Sequence, residues 1–207
     1  MPAPSHPHYK KKEKKMKQKK TFQLSCIAAL TALLLAACNG DDKYTRGYCN
    51  LTINNQTEHQ NATLARAMDP YSRVFVCITT TVHDGATFFR FTDNNGSPAT
   101  EERFSSLDAK RNPIVGMNNG IIVGFGNGTT QAFYAYDREC PNCFNFDKIP
   151  LRSYPLQMKP SGLAECTTCH RFYDMNNDGN VAQGEGGKAL TRYIASTTGP
   201  YGVLMVN

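Results

Sequence analysis

Arg73-Val74-Phe75-Val76-Cys77-Ile78-Thr79-Thr80-Thr81-Val82 is dense in β-branched and aromatic residues and runs into His83-Asp84-Gly85, after which Thr87-Phe88-Phe89-Arg90-Phe91 resumes the apolar pattern. Side chains branched at Cβ fit the pleated surface of a strand better than the crowded flank of a helix, and Asp-Gly readily adopts the positive φ angles of a tight turn. The stretch therefore reads as two antiparallel strands joined as a hairpin. Residues 120–125 and 131–136 repeat the pattern, being short apolar or aromatic runs parted by Gly126-Asn127-Gly128-Thr129, and predict a second hairpin. Residues 62–68 and 105–111 can each form a short helix, but neither carries a long amphipathic period. There is no internal repeat, coiled coil or low-complexity linker. The expected fold class is all-β, built from small antiparallel sheets.

The first forty residues are of another kind. A basic stretch with Lys17, Lys19 and Lys20 leads into an apolar run over residues 27–37 that ends in Leu35-Ala36-Ala37-Cys38. A basic flank, a short apolar core and small residues at the exit make a secretory signal peptide, and the run is well short of the roughly 20 residues needed to span a bilayer. Residues 1–37 are expected to be removed; Met16 is an alternative start, since the sequence from there already forms a complete signal. The residues before Cys38 resemble the lipobox of bacterial lipoproteins, which implies that Cys38 is acylated and becomes the first residue of the mature chain, with residues 38–43 as a tether. The acidic pair Asp41-Asp42 is similar to the surface-export signals of Bacteroidetes lipoproteins, and no Asp directly follows the cysteine. An outer-membrane or cell-surface address, lipid-anchored, follows from that resemblance. Lys19-Lys20-Thr21-Phe22 holds no arginine pair, so the general secretion route is expected rather than the twin-arginine route.

Removing the leader changes the charge argument. The whole chain has 23 Lys and Arg against 17 Asp and Glu; residues 1–37 hold eight of the former and one of the latter, leaving 15 against 16. A mature chain with a net charge of about minus one has no electrostatic case for binding nucleic acid. The remaining residues 44–207 are enough for one domain with a sizeable core.

Of eight cysteines, Cys26 lies in the leader and Cys38 is the lipid site, which leaves Cys49, Cys77, Cys140, Cys143, Cys166 and Cys169. The last four form two Cys-x-x-Cys pairs separated by 22 residues. Each short turn can aim two sulfurs at one point, and two such turns close a tetrahedral thiolate site. Disulfides are the competing reading, because an exported chain meets a non-reducing environment. Cys49 and Cys77 stand singly in strand-like segments, and one structural disulfide between them is expected.

The residues around the pairs carry a family resemblance. Ala135-Tyr136-Asp137-Arg138-Glu139-Cys140-Pro141-Asn142 is similar to the first cluster-binding loop of Rieske proteins, and Cys166-Thr167-Thr168-Cys169-His170-Arg171-Phe172-Tyr173-Asp174 resembles the second. Gly184-Glu185-Gly186-Gly187-Lys188-Ala189-Leu190-Thr191-Arg192-Tyr193 keeps the glycine, leucine and tyrosine of the segment that follows in that family. The likeness covers about residues 107–207 and implies a Rieske-like sandwich of small antiparallel sheets in which two loops meet at a metal. A Rieske centre needs two cysteines and two histidines. Here the first histidine position is Asn142, with Cys143 beside it, and the second is Cys169, so every candidate ligand is a thiolate. Zinc, acquired after export, is the expected metal; a [2Fe-2S] cluster in an electron-transfer protein is the alternative.

Two further motifs overlap this region. Cys166-Thr167-Thr168-Cys169-His170 spells the attachment site of a c-type haem, with Cys166 and Cys169 as thioethers and His170 as axial ligand. Asp174-Met175-Asn176-Asn177-Asp178-Gly179-Asn180-Val181, ending at Glu185, fits a calcium-binding loop, although Gly184, Gly186 and Gly187 disfavour the helix that should follow, and a hairpin turn is the preferred reading. His59 and His83 lie in polar turns, and no catalytic constellation stands beside them. The partner, whether protein or small molecule, is not specified by these residues.

Overall fold

The computed structural model describes residues 43–128 and 131–207; the expected leader, the alternative start Met16 and the expected acylation site Cys38 lie outside the described residues. Phe75–His83 (β2) and Ala86–Asp93 (β3) form the hairpin that the sequence predicts. Its two turn residues, Asp84 and Gly85, have φ of 52° and 71°, and the register closes on His83 opposite Ala86. Two consecutive positive φ angles give a turn whose twist matches that of the strands. The second hairpin is likewise present, from Ile121–Phe125 (β5) to Phe133–Asp137 (β6), with Phe125 opposite Phe133. The short helices are Ala62–Ala67 (α1), capped by the Asn61 side chain, and Ser106–Arg111 (α2), where Ser105 and Asp108 form a capping box.

The fold is all-β, a sandwich of small antiparallel sheets. β2 and β5 lie at the centre of a five-stranded sheet that also holds Thr100–Arg103 (β4), in the order β4-β3-β2-β5-β6. A three-stranded sheet pairs Leu51–Asn54 (β1) with Val203–Val206 (β12), which in turn pairs with Ala195–Thr197 (β11). A four-stranded sheet runs through Gln157–Met158 (β7), Leu163–Glu165 (β8), Phe172–Asp174 (β9) and Asn180–Gln183 (β10). The stretch before residue 107, which resembles nothing familiar, thus supplies β1, α1 and three strands of the central sheet. Tyr44–Asn207 form one compact unit.

Strand alternation divides the core between the two faces of the central sheet. On one face Val76, Ile78, Phe91, Ile121 and Val123 meet Leu64 and Met68 of α1 together with Leu51, Ile53, Leu204 and Val206 of the three-stranded sheet. On the other, Phe75, Cys77, Ile122, Tyr134 and Tyr136 meet Ala164 and Tyr173 of the four-stranded sheet, and Cys140 and Cys166 join this second cluster.

This division overturns the expected bond between Cys49 and Cys77. Both are free thiols. Cys49 packs in the first cluster and Cys77 in the second, because Cys77 follows Phe75 on the strand and so points to the opposite face from Val76 and Ile78. A bridge would have to pass through the sheet. Burial pushes each thiol up to about 11, which keeps both protonated and unreactive. Unfolding the protein in an alkylating agent, without reductant, should add label at both positions; protection of either would restore the bridge.

At the end of β3 the buried Asp93 side chain pairs with Arg66 at 2.6 Å and accepts the Asn95 and Ser97 N–H groups at 3.1 and 3.0 Å. Burial works against ionisation, but these hydrogen bonds and the guanidinium outweigh it and hold the carboxyl below its ordinary value. A carboxyl lowered in the folded state stabilises fully above its unfolded pKa, and that contribution is lost as pH falls through the lower folded value. The acid limb of the stability curve should therefore flatten in Asp93→Asn, as read by urea melts between about pH 6 and pH 2, roughly the carboxylate window.

Candidate metal centre

The first loop leaves β6 at Asp137, whose buried carboxylate accepts the Met117 and Glu139 N–H groups, each at 2.7 Å, and the Tyr193 hydroxyl at 2.6 Å. Glu139, also buried, accepts from the Asn118 side chain at 2.7 Å, the Ser153 hydroxyl at 2.5 Å and the Tyr154 N–H. These two acceptors fix the chain on both sides of Arg138, immediately before Cys140. Cys140 then donates its N–H to Tyr154 O at 2.9 Å, and the chain turns so that the Cys143 and Phe144 N–H groups both point back to Cys140 O, at 3.1 and 2.8 Å. The second loop is the tip of the β8–β9 hairpin. There the Cys166 N–H reaches Arg171 O at 3.0 Å, the His170 N–H reaches Cys166 O at 2.8 Å, and His170 takes a left-handed φ of 56°. Both loops are tight knuckles that present two sulfurs inward.

The two knuckles face one another. Cys140 Sγ lies 3.7 Å from Cys169 Sγ and Cys166 Sγ 3.8 Å from Cys143 Sγ, and all four sulfurs are within 4.8 Å of each other. Cys140 and Cys166 are buried, and Cys143 and Cys169 partly so. Sulfurs at the corners of a tetrahedron with metal–sulfur bonds of about 2.3 Å stand about 3.8 Å apart. The group as it stands can hold one metal ion with little rearrangement.

Its surroundings suit a negative site. The Tyr173 hydroxyl lies 3.2 Å from Cys140 Sγ and accepts from Asn142 Nδ2 at 2.8 Å, an arrangement in which it can donate to a thiolate. Burial resists ionisation of Cys169 too, but hydrogen bonds from the Arg171 side chain and backbone, and from Cys143 and Cys166, bring this thiol down to about 6. Burial instead pushes Cys140 up to about 11, and Cys143 is raised as well. A cation entering this group would displace protons from the thiols that bind it.

Residues flanking the knuckles also hold a common strap, residues 185–188. Asn142, inside the first Cys-x-x-Cys, exchanges hydrogen bonds with Lys188 N and O, each at 2.9 Å. Arg171, just after the second, donates to Glu185 O at 2.8 Å and to Gly186 O at 3.2 Å. A Cβ at Gly187 would come 2.5 Å from Asn142, so glycine permits this approach. Asn142, which stands at a histidine position of the resembled family, thus ties loop to strap. No local signal marks Asn142, Arg171 or Tyr173 for such a role, because the strap is distant along the chain.

The competing motifs resolve differently. The sulfurs of Cys166 and Cys169 point into the four-sulfur group, and His170 is exposed on its left-handed turn, so haem attachment would have to withdraw both cysteines from that group. Asp174-Met175-Asn176-Asn177-Asp178-Gly179 is the β9–β10 hairpin turn, as preferred from the sequence. Asp178 pairs with Arg192 and Glu185 with Arg171, so the calcium-type donors do not converge.

Sequence reading missed a second convergent group. His59 Nε2 lies 2.9 Å from Asp108 Oδ2, and Glu58 joins them, with all three donor atoms within 4.8 Å. Arg111 already bonds to Glu58 at 3.2 Å and to Asp108 at 3.5 Å, while Ser105 donates its hydroxyl to Glu58 at 2.7 Å. This is an ion-pair network that pins the β1–α1 connection to α2. Ser105-x-x-Asp108 is legible as a helix start, but its partners, some fifty residues earlier, are not.

Compared with known proteins, the chain matches no family model and no curated protein.

Proposed function

We propose that this chain is an exported protein, anchored through an acylated Cys38, whose Rieske-like portion is stapled by one zinc ion on Cys140, Cys143, Cys166 and Cys169, and whose role is binding or structural rather than catalytic. The observation that carries the zinc reading is the compactness of the sulfur group. Two contacts sit at the edge length of a single tetrahedral ion, and no pair exceeds 4.8 Å. A two-iron cluster would divide the four sulfurs between its irons and spread the two pairs apart along the iron–iron axis.

Zinc, when bound, would cross-link the loops and add its binding free energy to that of folding. The chain's own residues do the rest. Asp137 and Glu139 fix the approach to Cys140, Tyr173 and Arg171 supply donors to the sulfurs, and Asn142 holds the strap. The lipid anchor rests on the signal-like leader and the residues before Cys38.

The second reading is an extracytoplasmic electron carrier with a [2Fe-2S] cluster. It is supported by the ordered resemblance of both loops to Rieske loops, and by the Tyr173 hydroxyl at a ligand sulfur, since hydrogen bonds to sulfur tune reduction potential. Elemental analysis and a visible spectrum of protein purified after export separate the two. One zinc per chain without visible absorbance supports the structural site. Two irons with sulfide, and colour that dithionite bleaches, would replace it with electron transfer. Absence of any metal together with absence of free thiols among these four would refute both.

A further inference from the structure

Between Cys143 and Tyr154 the chain makes an excursion without strand pairing whose outward residues have the wrong polarity for a solvated loop. Ile149 is 97% exposed, Phe146 48% and Leu151 46%. Three cations attend them. Lys148 and Arg152 flank Ile149 in a cleft of about 330 Å³, and Lys188 shares a neighbouring cleft with Phe146 and Lys148. Among the described residues no ion pair engages any of the three, and the one nearby acid in the loop is Asp147.

The position of this loop relative to the entering chain gives it a use. The Tyr48 ring meets the Phe146 ring edge-on, with centroids 5.2 Å apart. Tyr48 is ten residues from Cys38 along the sequence. Ten residues reach at most about 33–36 Å fully extended. A bilayer holding Cys38 is therefore within reach of the face that carries Phe146, Ile149 and Leu151.

We infer that the loop of residues 145–152 is a membrane-contact element, in which Ile149 and Leu151 enter the interface of an anionic leaflet while Lys148, Arg152 and Lys188 meet its phosphate groups. Apolar side chains projecting from a cationic rim gain both from burial at the acyl boundary and from attraction to anionic headgroups. An acidic protein would match the cations too, but Ile149 is almost wholly exposed beside its cleft, and an acylated Cys38 would bring a membrane, not a protein, within reach of it. The inference rests on the lipid-anchor reading, and it places the metal site against the membrane, since Cys143 lines the same cleft as Lys148 and Arg152.

The chain contains no tryptophan, so one substitution makes a unique reporter. Ile149→Trp and, as a control, Val82→Trp on the β2–β3 hairpin, where Val82 is 71% exposed, are prepared in the metal-loaded mature protein. Each is reconstituted in phosphatidylcholine vesicles with and without phosphatidylglycerol. The expected result is that the Ile149→Trp emission shifts to the blue and is quenched by brominated acyl chains, severalfold more with phosphatidylglycerol, while Val82→Trp is unaffected. Lys148→Glu with Arg152→Glu should remove the dependence on phosphatidylglycerol. Should Ile149→Trp fail to fold, Leu151→Trp serves in its place. No shift at the loop, or an equal shift at both positions, overturns the inference. Mass spectrometry of Cys38 is read alongside. An acylated protein with an unresponsive loop leaves the anchor standing and removes the contact. An unacylated protein removes the anchor, and the response of the same reporters to vesicles added from outside then decides the loop by itself.

Discussion

Cys166→Ser should abolish stoichiometric metal binding and lower the thermal midpoint, whereas Cys77→Ser should leave the metal in place. Cys166 is buried at the root of the second knuckle and contributes one corner of the sulfur group. Oxygen of a neutral serine is a poor fourth ligand among thiolates, and three sulfurs leave the two loops joined by a weaker, open site. A ligand that binds only the folded state stabilises it by about 4 kcal/mol when free at 1,000 times its dissociation constant. Loss of most of that amount is expected, visible as a drop in the melting midpoint that added zinc does not restore, and as a wild-type midpoint that a chelator brings down to the variant's. Equal midpoints for fully metal-loaded protein and for protein stripped by chelator would sink the stapling role.

Asp137→Ala should be nearly as severe without touching a sulfur. The substitution leaves the Met117 N–H, the Glu139 N–H and the Tyr193 hydroxyl without their shared acceptor inside the protein. Each unsatisfied buried donor costs about 1–3 kcal/mol, so a loss of about 3–5 kcal/mol in urea unfolding is expected after partial relaxation. A loss below about 1 kcal/mol would show that water replaces the carboxylate freely. Asp137→Asn keeps one acceptor oxygen and should lie between. Burial pushes the Asp137 carboxyl up from its ordinary value of 3.8. The folded state therefore favours the protonated form, and the penalty that the ionised group carries at neutral pH is relieved as pH falls through the raised value, a relief that Asp137→Asn should lack.

How far the sequence reveals this arrangement depends on the reach of each interaction. Asp84-Gly85 sets a turn between neighbours, and the Cys-x-x-Cys spacing sets a knuckle within four residues, so both hairpins and the four-sulfur group are legible from local pattern. Cys49 and Cys77 show the limit. Each stands in a strand-like segment, which invites a disulfide between them, but whether two such cysteines meet depends on which face of a sheet each one points to, and that is settled by register with strands far away. His59 and Asp108 are opaque for the same reason, since neither segment alone signals the other. β1, β11 and β12 are three or four residues each, too short for alternation to stand out before the pairing partner is known.

The pairing of β1 with β12 joins the start of the folded unit to its last residues, with Leu51 opposite Val206 and Asn54 opposite Val203. A chain threaded through a narrow channel from its N-terminus cannot complete that sheet while any of β12 is still inside. However the chain is delivered from its N-terminal side, this sheet is among the last parts to close. Leu51 and Ile53 wait without their partners until β12 emerges, and only then can the core under the central sheet close. Such distant contacts form slowly. The two cysteine knuckles, each made within a handful of residues and packed in the other cluster, need no such distant partner to take shape.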